Sequence, residues 1–160
     1  MKKLLVNTFL FSLLLLAASC EKKPEPTPPL PPTVKLDSIL PAPNWVNPEE
    51  YDYSSSMTAV VKVDLQVPYP SEAGEWAVKE NDMLGAFMGE VCCGVVNPTD
   101  GLFFLYITEP DNTAATKVSL RYYSTYFKNL FEAKDVFTFQ NDTHHGSLSE
   151  PLVPEFTVIK

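Results

Sequence analysis

Apolar and polar residues alternate most cleanly over residues 58–67, TAVVKVDLQV. There Ala59, Val61, Val63, Leu65 and Val67 share one face, and Lys62, Asp64 and Gln66 share the other. Successive side chains of an extended backbone point to opposite sides, so this period predicts a half-buried strand of an antiparallel sheet. Residues 82–96, DMLGAFMGEVCCGVV, read differently. Two apolar runs flank Gly89-Glu90, and a two-residue loop with Gly first suits a type II′ hairpin turn, whose first central position needs φ > 0. Closing the ladder on that turn pairs Met88 with Val91, Phe87 with Cys92, Ala86 with Cys93, Gly85 with Gly94 and Leu84 with Val95. Leu84, Ala86, Met88, Val91, Cys93 and Val95 then share one face, while Met83, Phe87, Cys92 and Val96 surround the two glycines on the other. Both faces are apolar, so the hairpin is expected to be covered on both sides. Facing glycines leave a notch, which Phe104, Tyr122 or Trp45 is expected to fill.

Further strands follow. NPTDG at 97–101 is a turn signal, and LFFLYIT at 102–108, apolar on both faces, predicts an inner strand. Residues 117–124 alternate Val118, Leu120 and Tyr122 against Ser119, Arg121 and Tyr123. Residues 130–139 predict a turn and then a strand ending in Phe137 and Phe139, 141–147 a polar loop, and 155–159 a last strand. Residues 44–57, with Trp45, Tyr51 and Tyr53, read as an extended lead-in, and 68–81 as a loop. No long segment has helical periodicity. Short strands with turns every eight to twelve residues or so predict an all-β fold, an antiparallel β-sandwich (Ig-like or jelly-roll-like) of about seven to nine strands over residues 44–160.

The first 43 residues have a different character. Lys2 and Lys3 precede an apolar run from Leu4 to Leu16, then the small residues Ala17, Ala18 and Ser19, then Cys20. That order is a secretory signal over residues 1–19, too short in its apolar part for a spanning helix. LAASC resembles a bacterial lipobox, although Ala17 stands where that pattern prefers Leu; the resemblance implies cleavage before Cys20 and lipidation of that residue with palmitate-type chains. Two or more chains hold a protein stably at a bilayer where one is marginal. Glu21 rather than Asp after the cysteine points to the outer membrane, by the retention rule of bacterial lipoproteins. EKKPEPTPPLPPT then holds six prolines in thirteen residues, part of a lipidated-cysteine and Pro-rich linker over 20–43. Such a stretch favours polyproline II and reaches about 40 Å at ~3.1 Å per residue. Formal charge is −8 for the 160-residue chain, and −10 without residues 1–19, which contain two lysines and no acid. That balance excludes nucleic acid as a partner and opposes electrostatic binding to anionic lipid.

Several residues in order resemble a β-sandwich module of surface and secreted Bacteroidetes proteins. They are Trp45-x-Asn47-Pro48 with Tyr51, Ser56 and Met57; Asp82-x-x-Gly85-Ala86-Phe87; and Glu90-x-Cys92-x-Gly94-Val95. The module's pattern runs W-x-V-N-P, Y-x-x-S-M, D-x-[IL]-x-A-F and C-R-G-V, and the resemblance covers the chain from Trp45 onward. It implies an all-β fold and a cell-surface or secreted location, and no chemistry. Cys93 stands where the module usually carries Arg.

Candidate chemistry is sparse. Adjacent strand residues point to opposite faces, so Cys92 and Cys93 are poorly placed to share one metal ion. A vicinal disulfide is strained, and both thiols are expected free and packed. His144 and His145 read as exposed loop residues, and Asp82, Glu90, Asp111 and Asp142 as turn acids without Ca²⁺-loop spacing. No catalytic residue, metal site or cofactor is therefore expected. The aromatics are the better candidates for binding. Trp76, Tyr123 and Tyr126 are expected on the surface as ligand-binding residues, whereas Trp45 and Tyr51 are expected to pin the lead-in to the sheet. The composite expectation is a lipid-anchored envelope protein, bound to the bilayer through acylated Cys20. Its sandwich would be non-catalytic and bind a glycan or a surface protein; the alternatives are an assembly component of a surface complex or, less favoured by so small a domain, a small hydrolase.

Overall fold

The computed structural model describes residues 39–49, 55–65, 77–109 and 117–159. Cys20, the signal and linker through residue 38, Tyr51, Tyr53, Tyr69, Trp76 and Asp111 lie outside the described residues. Eight strands run in the order β1 (Ser56–Val61), β2 (Met83–Met88), β3 (Val91–Val96), β4 (Phe103–Thr108), β5 (Lys117–Ser124), β6 (Asn129–Thr138), β7 (His144–His145) and β8 (Thr157–Val158). They form two sheets, one of three strands ordered β4-β1-β7 and one of five ordered β3-β2-β5-β6-β8. The fold is all-β and has the two-sheet layering of a β-sandwich.

Alternation puts one face of each sheet inside. Met57, Ala59, Val61, Phe103, Leu105 and Ile107 of the small sheet are buried together with Leu84, Ala86, Met88, Val118, Leu120, Tyr122 and Phe131 of the large one. Phe103 and Tyr122 meet edge to face across the two sheets, with ring centroids 5.9 Å apart. Val63 and Leu65 stay buried beyond the end of β1, extending the period-two pattern past the hydrogen-bonded strand. Gly89 has φ +63°, as the II′ turn requires, and the NPTDG turn closes with Asp100 (φ 52°) and Gly101 (φ 77°) between mutually bonded Thr99 and Leu102.

Four sequence expectations are corrected. The β2–β3 ladder pairs Met88 with Val91 and Phe87 with Cys92, but then Ala86 pairs with Gly94 and Gly85 with Val95. Cys93 is an extra residue, a bulge that shifts the register by one, so Gly85 and Gly94 do not face one another. LFFLYIT does not form an inner strand: β4 is an edge of the small sheet with Phe104 and Tyr106 turned outward. The turn expected within residues 130–139 is absent: β6 is continuous from Asn129 to Thr138, with an irregularity against β5 where Asp135 takes φ 49°. Residues 141–147 are not all loop, because His144–His145 pairs with β1, and that pairing is parallel.

The tail closes one side of the sandwich. Leu152 exchanges backbone bonds with Val60 on β1 and with Lys62 just beyond its end, and the chain then crosses to pair β8 with β6. Phe156, between these contacts, lies 6.1 Å from the Tyr122 ring. On the other side the edge strands β3 and β4 meet without forming a ladder. There Thr108 Oγ1 donates to the Cys93 carbonyl at 3.3 Å, and a Cβ on Gly94 would overlap the Tyr106 carbonyl oxygen. Only glycine allows that approach.

Candidate ligand-binding surface

The outer face of the large sheet is covered by the lead-in. Leu40 N–H donates to the Lys128 carbonyl (2.8 Å), and Tyr123 donates its hydroxyl to the Leu40 carbonyl (3.1 Å). Trp45 packs edge to face on Phe87 at 5.3 Å, and the Asn47 side-chain oxygen accepts from Val95 N–H at 2.6 Å, satisfying a donor on the β3 edge. A Cβ on Gly85 would come within 3.2 Å of Trp45 and 2.7 Å of Phe87. Trp45, of the three aromatics proposed to fill the glycine notch, is the one that sits over Gly85; Phe104 and Tyr122 lie elsewhere. Arg121 stacks over Phe87 (4.4 Å), bonds both carboxylate oxygens of Glu90 (3.0 and 2.9 Å) and reaches Glu132 (3.2 Å). The guanidinium draws the Glu90 carboxyl below its ordinary value.

Tyr123 was expected exposed, and this placement is corrected: it is 4% exposed, beneath the lead-in. Tyr126 is exposed, in the turn after β5, with its ring edge-on to Phe127 at 5.0 Å. Asp82 closes the turn before β2, its N–H donating to the Lys79 carbonyl (2.9 Å), and it is buried. Its carboxylate accepts from Lys79 N–H, Thr125 N–H, the Thr125 hydroxyl and the Tyr122 hydroxyl, tying the start of β2 to the end of β5. Cys92 and Cys93 are free thiols. Burial pushes the Cys93 thiol up to about 11, which makes it a poor nucleophile, and raises Cys92 as well. Both cysteines lie on β3 of the five-stranded sheet, whereas the β7 histidines belong to the far edge of the three-stranded one. His145 stacks on Phe137 at 4.5 Å, and His144 Nδ1 shares a hydrogen bond with the Thr58 hydroxyl. Among the described residues no group of three or more His, Cys, Asp or Glu is placed to hold a metal ion.

The outer face of the small sheet is the surface that sequence reasoning missed. Phe104 is 41% and Tyr106 54% exposed, two residues apart on β4 and so on one face. Directly across the ladder lie Val60 and Thr58, and beyond Thr58 lies His144. Beside the two aromatics the β3–β4 seam opens into a groove of about 280 Å³. Its walls include Val95, Val96, Pro48 and Asn47, and Phe104 and Tyr106 form its lip. None of its described lining residues carries a charge. The signal available in the sequence was Phe104-x-Tyr106 itself, but alternation says only that the two share a face, not that the face stays half exposed.

No protein-family model, curated protein or solved structure matches the chain.

Proposed function

We propose that this chain is a lipid-anchored envelope protein whose sandwich serves binding or adhesion, without catalysis, through the outer face of the three-stranded sheet. One observation carries the binding part: Phe104 and Tyr106 stand exposed, side by side, at the lip of an uncharged groove, whereas Phe87 and Tyr123 on the outer face of the other sheet lie beneath the lead-in. Large exposed apolar groups grouped beside a concavity mark interaction surfaces more often than scattered ones do. The anchor rests on the LAASC-type leader and Cys20, and the outer-membrane location on Glu21; the likeness to surface and secreted Bacteroidetes modules agrees with both.

The tests separate anchor from face. Cys20→Ala is expected to abolish incorporation of labelled palmitate; unchanged labelling would remove the anchor. A Phe104→Ala/Tyr106→Ala protein is expected to melt like the parent yet lose retention on envelope preparations. Undiminished retention would rule out this face. A second reading, as an assembly component, draws support from the open seam between the edge strands β3 and β4. Recovery of the anchored protein from mild detergent in one stoichiometric complex, lost in the same double variant, would favour it.

A further inference from the structure

We infer that the ligand of this face is a neutral saccharide chain, a refinement that rests on the binding role proposed for Phe104 and Tyr106. A pyranose has an apolar face of C–H groups and a rim of hydroxyls, so its complement is an aromatic face flanked by uncharged hydrogen-bonding groups. Both halves of that complement occur together. Phe104 and Tyr106 are spaced by two strand residues, about 6.7 Å, on the order of one sugar ring in a chain. The ladder sets Thr58 opposite Tyr106 and His144 opposite Thr58, so a hydroxyl and an imidazole lie alongside the aromatic rail. On the groove side Tyr106 brings its own hydroxyl and Asn47 its side-chain amide, whose oxygen is engaged by Val95 N–H while its nitrogen is a double donor.

Charge decides between ligand classes. Among the described residues the groove has no ionised lining group, and the chain carries a formal charge of −8. An acidic polysaccharide would meet no cation in the groove and a repelling field around it. A protein partner would be expected to bury a larger apolar core around its aromatic anchors. On this rail Phe104 and Tyr106 are bordered by Thr58 and the half-buried Val60.

The experiment uses the full chain in detergent micelles, run by affinity electrophoresis through gels containing a β-glucan, a mannan, a xylan or polygalacturonate. At least one neutral polymer should retard the protein and polygalacturonate should not. Phe104→Ala and Tyr106→Ala should each weaken retardation tenfold or more, with unchanged melting curves. Tyr106→Phe should keep most of it, because the ring face is retained. Retardation by polygalacturonate alone would overturn the neutral-saccharide inference. So would the absence of retardation by any polymer if the double variant still loses its binding to envelopes, an outcome that leaves the binding face standing. Retardation that survives both alanine variants but fails in Tyr126→Ala would overturn the inference and the face together.

Discussion

The two sheets treat their outer faces in opposite ways. On the five-stranded sheet, residues 40–47 cross the strands and cover Phe87, Gly85 and Tyr123, with Leu40 fastened at Lys128 and Asn47 at Val95. On the three-stranded sheet an equally apolar strand leaves Phe104 and Tyr106 half exposed. Both faces contain aromatics, so composition does not separate them. What separates them is a nearby segment with the right contacts: Trp45 meets a notch that Gly85 leaves open, and Tyr123 offers a hydroxyl to the Leu40 carbonyl. An aromatic on a sheet is therefore held as structure where a described segment is built to cover it, and stays half exposed where no described segment does.

The largest expected effect tests the seam beside the open face. Gly94→Val should cost about 3 kcal/mol in denaturant melts, because its side chain would run into the Tyr106 backbone. Gly85→Ala should cost less, about 1 kcal/mol, because the atoms it meets are ring edges of Phe87 and Trp45 that can shift. Equal costs would mean that the seam is looser than the covered face. Next comes the cover itself. Trp45→Ala should lower stability by about 2 kcal/mol and speed hydrogen exchange at Val95, whose N–H the lead-in occupies through Asn47.

On the uncovered face the same substitution should cost almost nothing. Phe104→Ala and Tyr106→Ala are expected within about 0.5 kcal/mol of the parent. A loss as large as that of Trp45→Ala would erase the contrast. The smallest effect concerns Glu90, on the hairpin turn at the margin of the covered face. Its carboxyl is held below the ordinary value near 4.5, first by the hydrogen bond to Arg121 and then by that residue's charge. Around that value the unfolded chain binds more protons than the folded one, so stability rises with pH. The contribution is complete above about 4.5 and lost as pH falls through the lowered value. Glu90→Gln should therefore flatten the melting temperature slightly across the acid limb and leave neutral pH nearly unchanged; an unchanged acid limb would mean that the exposed ion pair contributes nothing.

Much of the framework was legible because it depends on neighbours in sequence. Gly89 announces its own turn, and the alternation of Val118, Leu120 and Tyr122 against Ser119 and Arg121 fixes which side chains of β5 travel together. The bulge at Cys93 was not legible. Counting outward from the Gly89 turn assumes an unbroken ladder, and the extra residue lies where Gly94 must meet the Tyr106 backbone of another sheet. Tyr123 and Asp82 misled for a similar reason. A tyrosine on the polar side of a strand and an acid before one both look solvated until Leu40 and Thr125, far off in the chain, arrive as partners.

The sequence by itself determined that the chain is all-β, where its central hairpin turns, and which residues of each strand share a face, because backbone geometry converts a local pattern directly into sides. It also determined that both Phe104-Tyr106 and Phe87-Tyr123 belong to strands rich in apolar surface. Only the tertiary structure decided that one pair is roofed and the other left half exposed. That choice depends on which distant segment can reach each face, satisfy its backbone groups there and find a notch for its side chain, and no local pattern encodes such a competition.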